Sequence, residues 1–223
     1  MSVRERVLYS NAMSVDSLAD WVREGPVTIA DGHEGVVLAS SADATEMGDH
    51  AHFTLWCPEL FPDNIRISWD YRPVAGQGLA MVFFGAQGSG NRDLFSPELA
   101  PRTGFYPQYH SSDIATLHIS YQRHKHASER AFRTCNVRKS PGFHLVAQGA
   151  DPLPNSEDAD SFYRMEVFKD GELVSFSING LKVLEWLDDD VATGPTIGGG
   201  YVGFRQMAPL QAAYKNLQVT ALD

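Results

Sequence analysis

Apolar and polar residues alternate along this chain in short runs, not at the three-to-four spacing of amphipathic helices. Candidate strands fall at 36–40, 52–57, 65–72, 79–85, 116–123, 143–148, 163–169, 172–178, 181–187, 200–206 and 213–221. Turn residues separate them, as in an all-β sandwich or barrel. Asp170-Gly171 and Asn179-Gly180 have the chemistry of tight hairpins. One helical turn is expected within 17–24, with Ser17 as its cap.

Successive side chains of a strand leave opposite faces, so parity sorts core from periphery. Ile65, Ile67, Trp69 and Tyr71 share one face of their run. Leu117 and Ile119 oppose His118, Ser120 and Gln122, while Phe143 and Leu145 oppose His144 and Gln148. Val202 and Phe204 oppose Tyr201 and Arg205, and Phe53 and Leu55 oppose Trp56. A face rich in His, Gln, Arg and Tyr suits a concave ligand surface. Isolated surface or structural roles are the plainer alternative. Tyr121 and Arg123 share the parity of Leu117 and Ile119, so they join the polar face only if the strand bulges near Ser120.

Charge sharpens this picture. The chain has 223 residues and a net charge of −10. Between 102 and 149, however, seven basic residues and two acids give +5, leaving −15 for the rest. That segment also holds five of the eight histidines. Such a reversal points to an anionic ligand, with Tyr109, His110, His118, Tyr121, Arg123, Asn136 and His144 as candidate contacts. The overall acidity argues against general nucleic-acid or anionic-membrane binding. No apolar run is long enough for a membrane helix. The N-terminal residues lack the apolar region of a signal peptide, which favours a cytoplasmic protein. Cys57 and Cys135 are expected to be reduced and buried.

The runs PELFPD at 58–63, YPQYH at 106–110, ERAFRTCN at 129–136, RKS at 138–140, GFHLVAQGADP at 142–152 and GFRQMAPL at 203–210 resemble the YesU-like family. The resemblance covers nearly the whole chain. It implies a concanavalin-A-like jelly-roll sandwich of two antiparallel sheets, here a single domain over 1–223. It also implies a setting of uronate-rich polysaccharide breakdown. It supplies no catalytic residues.

The residue types fit β-elimination on a uronate. The C5 proton becomes acidic once the neighbouring carboxylate is neutralised, a task for Arg205 and Arg123. Proton transfer falls to His110, His118, His144 or Tyr121. Gln122, Gln148, Trp56, Tyr109 and Tyr201 are the further sugar contacts, with Tyr106 another possible platform. A polysaccharide or oligosaccharide lyase and a dehydratase share this chemistry. Glycoside hydrolysis, the first alternative, needs two carboxylates. The polar-face strands offer no such pair, though Asp70 and Glu166 would supply one if they shared the groove. A non-catalytic carbohydrate-binding protein is the second alternative.

No cofactor is required. His50-Ala51-His52 and His124-Lys125-His126 have a weak metal-ligand spacing, and neither shows a third ligand. The acidic stretches 151–160 and 188–190 read as solvated loops, with room for a structural calcium ion. The expected partner is an acidic oligosaccharide.

Overall fold

The computed structural model describes residues 5–124, 133–189 and 191–222. In chain order its strands are β1 (Glu5–Asn11), β2 (Val22–Glu24), β3 (Val27–Asp31), β4 (Val36–Ser40) and β5 (Phe53–Phe61). Then follow β6 (Ile65–Ala75), β7 (Gly78–Gly88), β8 (Ile114–His124), β9 (Thr134–Ser140) and β10 (His144–Ala150). The last five are β11 (Tyr163–Asp170), β12 (Leu173–Ile178), β13 (Leu181–Leu187), β14 (Gly200–Met207) and β15 (Gln211–Leu222).

Two antiparallel sheets pack face to face. One runs β13-β12-β11-β6-β15-β4-β3, with β1 also paired to β15; the other runs β10-β9-β8-β7-β14-β5-β2. This is the two-sheet jelly roll expected from the sequence. Alternation builds its interior. Ile67, Trp69 and Tyr71 of β6 meet Val82 and Phe84 of β7, Leu117, Ile119 and Tyr121 of β8, and Val202 and Phe204 of β14. Asn179 and Gly180 both have positive φ, as the β12–β13 hairpin requires. Cys57 and Cys135 are unpaired and buried.

The sequence reading missed β1, β2, β3 and β9. The first three are edge or near-edge strands with mixed burial. Strand β9, TCNVRKS, carries only Cys135 and Val137 as apolar anchors, which hides it in a polar stretch. The turn near Ser17 is a single 3-10 turn at Asp16–Leu18 without a side-chain cap. His50 and Ala51 also lie in a 3-10 turn, so His50-Ala51-His52 is not a strand pair. His126 lies outside the described residues. Asp188 is not solvated: it is buried and paired with buried Lys139.

The outer face of the second sheet carries the polar set. Hydrogen-bond register places Gly203, Phe83, His118 and Arg138 in one cross-strand row. Arg205, Met81, Ser120 and Asn136 form the next row. Much of this face lies under segment 89–113, whose Leu94, Leu99 and Tyr109 pack on Trp56 and Phe83.

Candidate functional site

Segment 89–113 is fastened by one buried carboxylate. Glu24 accepts from Trp56 Nε1 at 2.9 Å, the Tyr109 hydroxyl at 2.7 Å and Arg102 Nε at 2.9 Å. These bonds settle two sequence candidates. Trp56 and Tyr109 are fully buried anchors, not exposed sugar platforms. Gly203 lies beneath Trp56, where any side chain would collide with the indole. Tyr201 is a third anchor, donating to Asp93 at 2.6 Å and packing on Phe95.

Beside the covered region is a cavity of about 80 Å³ lined by Tyr106, Arg123, Arg138, Asn136, Ser120 and Phe143, with Leu79, Met81 and Met207 as its apolar wall. None of the described residues that line it is Asp or Glu. It is large enough for several waters, or for a carboxylate and the carbon that bears it. Two local backbone reversals build it. Gln122 has φ +50° within β8, and register against β7 shifts beside it. Period two is broken there, so Arg123 joins the outer face while Tyr121 stays between the sheets against Trp69, Tyr71 and Phe176. Arg123 Nη1 then lies 2.6 Å from the Asn136 amide oxygen, with that amide turned to satisfy its neighbours. The second reversal is at Phe143, φ +56°. Its ring turns into the site, 3.9 Å below the Arg138 guanidinium, and His144 is left exposed outside the cavity.

Tyr106 and His118 form the proton-bearing pair. The Tyr106 hydroxyl is 2.9 Å from His118 Nε2. His118 is fully buried, and its Nδ1 has no hydrogen-bond partner among the described residues. Burial, together with Arg138, Arg205 and His110, pulls its pKa down to about 3, so the ring is neutral at neutral pH. Burial pushes the Tyr106 phenol up to about 12, opposed by Arg205, Arg138 and Arg123. His110 packs edge-on against Tyr106 and 4.2 Å from the Phe143 ring. Burial also lowers its pKa, helped by Arg138 and Arg205.

Arg205 is completely buried. Its guanidinium sits 4.9 Å from the ring centres of both Tyr106 and Tyr109. Nη1 donates to Gly104 O at 2.7 Å and Thr54 Oγ1 at 3.2 Å. Nε and Nη2 have no hydrogen-bond partner among the described residues. A desolvated guanidinium without a carboxylate against it is costly to fold. It places fixed positive charge behind Tyr106, where an anion would be stabilised.

The structure therefore brings together His110, His118, Arg123 and Arg205 from the sequence candidates. It leaves out Tyr121 and His144 for the reasons above. Gln122 is turned away, donating to Pro154 O at 2.9 Å. Gln148 stays at the exposed edge, 2.9 Å from Asn136. Arg138, quoted from the sequence only within the RKS run, is on β9, in register with His118. Asp70 and Glu166 lie on the other sheet, where Arg164 and Arg66 pair with them. They cannot join this cavity. No helix of the described residues is long and apolar enough to cross a membrane.

Residues 6–219 match the family described as a domain of unknown function, DUF1961. The chain is 52% identical over 214 residues to the uncharacterized protein YesU of Bacillus subtilis strain 168, covering 95% of this chain and 94% of YesU. A crystal structure of a Bacillus subtilis protein of unknown function with a galectin-like fold is 49% identical, with a TM-score of 0.92 over 100% of both chains. The kappa-carrageenase of Pseudoalteromonas carrageenovora, solved with an oligotetrasaccharide of kappa-carrageenan, shares the fold at 8% identity. Its TM-score is 0.59, over 99% of this chain and 96% of the carrageenase.

Proposed function

The chain belongs to the DUF1961 family, and we propose that in this member the cavity receives the carboxylate of a uronate-containing oligosaccharide and promotes β-elimination beside it. The observation that carries the reading is the described groups at the cavity: two arginines, an amide and a phenol line it, an imidazole lies behind the phenol, and none of the described lining residues is a carboxylate. The described lining offers no pair of carboxylates, which glycoside hydrolysis usually requires. The fold is shared with a carbohydrate-active enzyme, which supports a sugar ligand.

The chemistry follows from these groups. Arg138 and Arg123, with Asn136, neutralise the uronate carboxylate and acidify the C5 proton. The Tyr106 oxygen takes that proton while its own passes to His118 Nε2. The C5–H electron pair forms the C4=C5 double bond and the C4–O bond breaks. The pair resets by delivering a proton to the leaving oxygen. His118 is a poor acceptor while arginines surround it. A bound carboxylate offsets Arg138 and Arg205, so substrate raises the basicity of the group that receives the proton.

A panel of uronate oligosaccharides tests this reading. Ultraviolet absorbance from the unsaturated product is the expected signal, lost in Tyr106→Phe. New reducing ends without that absorbance would overturn it in favour of hydrolysis. Affinity without either signal would leave sugar binding alone, a reading favoured by the complete burial of the His118 ring.

A further inference from the structure

The cavity does not end at Met207. That residue also lines a second, more open space of about 510 Å³, walled by Ala44, Gly48, Asp49, His52, Gln77 and Pro209 among others. Gly78 lines the second space and Leu79 the first, so the two floors are consecutive residues of β7. They are joined on the other side as well. His50 stacks on Phe105 at 4.6 Å, holding the 44–51 segment beside the residue that precedes Tyr106.

The two spaces differ in charge. Among the described residues, the first carries two arginines and no acid. The described lining of the second has no Lys or Arg, and its titratable groups are Asp49 and His52. Ala208 N donates to His52 Nδ1 at 3.1 Å, which leaves Nε2 as the ring nitrogen that carries the proton. Nε2 faces Asp49 at 3.3 Å. The Asp49 side chain is 65% exposed, with acceptor capacity to spare, and the Gln77 amide at the rim can donate and accept. This lining suits hydroxyl groups and repels a second carboxylate. Two like charges about 4 Å apart weaken association roughly fivefold even in water.

We infer that the second space holds a neutral sugar next to the uronate, so that the ligand class is an oligosaccharide alternating uronate with neutral residues rather than a homopolyuronate. This rests on the uronate reading of the first cavity, and the experiment separates the two. Titration calorimetry compares β-1,4-linked tetraglucuronate with the tetrasaccharide that alternates glucuronate and glucose, and repeats the comparison with the matched galacturonate pair. The alternating member is expected to bind at least about fivefold more tightly to the wild-type chain. Asp49→Asn should close the gap by strengthening the homouronate, and Gln77→Ala should weaken the alternating member alone. Both positions are exposed, so folding is not at stake. Equal affinities in the wild type, or a gap that survives Asp49→Asn, overturn the inference; the uronate reading stands in that case if Arg138→Ala weakens both ligands. Absence of binding to all four ligands overturns both.

Discussion

Replacing Glu24 by alanine should be among the most damaging single changes to this chain. Glu24 of β2 is 7% exposed and ties its strand to Trp56 of β5 and to Tyr109 and Arg102 of the covering segment. Arg102 is itself only 5% exposed, so the substitution leaves a buried guanidinium without its counter-charge. Breaking a buried pair in this way costs about 3–5 kcal/mol. Stranding the Trp56 and Tyr109 donors adds to it, at about 1–3 kcal/mol for a buried unsatisfied group, though groups in one network are not additive. A loss of about 4–6 kcal/mol is expected. At roughly 2–4 °C per kcal/mol for a chain of this size, the melting temperature should fall by about 10–20 °C. Glu24→Gln keeps the shape and one acceptor oxygen and should fall about half as far. Thermal unfolding followed by circular dichroism measures both. Limited proteolysis should also show earlier cleavage within 89–113 in the alanine variant. A Glu24→Ala protein melting within about 2 °C of the wild type would refute the fastening role.

Two further outcomes follow from the same face. His118 has a folded pKa of about 3 against an ordinary value of 6.5. The unfolded chain therefore binds the extra proton, and the stability that depends on a neutral His118 is complete above pH 6.5. It is lost as pH falls from 6.5 towards 3, at up to about 1.4 kcal/mol per pH unit. His118→Gln should flatten this acid limb in denaturant titrations at stepped pH; an unchanged slope would contradict the burial argument. Gly203→Ala should destabilise by about 1–3 kcal/mol, because its methyl would strike the Trp56 ring held by Glu24. The Trp56→Phe background should recover part of that loss.

Strand identity was largely legible because core positions alternate cleanly. Ile65, Ile67, Trp69 and Tyr71 announce β6, and Val202 and Phe204 announce β14. The site was less legible because two backbone reversals break the alternation that sequence parity assumes. Gln122 carries Arg123 onto the outer face, and Phe143 exchanges places with His144. A bulge near Ser120 was the stated condition for Arg123 to join, but nothing in the residue pattern located it. Tyr106 sits in a covering segment with no periodicity, and only the adjacent histidine-rich, basic stretch marked it. The charge reversal itself divides. Arg102 neutralises Glu24, Lys139 neutralises Asp188, and Arg133 bonds Leu153 O and Asn155. Arg123 and Arg138 remain at the cavity.

The most direct test of the central claim is the turnover and affinity of Tyr106→Phe on one acidic oligosaccharide, measured beside the wild type and Arg138→Ala. Loss of the hydroxyl should reduce the rate of unsaturated-product formation by about 10²–10⁴ while binding stays within about threefold, because the arginines that hold the carboxylate are untouched. Arg138→Ala should weaken binding itself. A Tyr106→Phe protein that forms the unsaturated product at the wild-type rate would contradict the assignment of the proton transfer to the Tyr106–His118 pair.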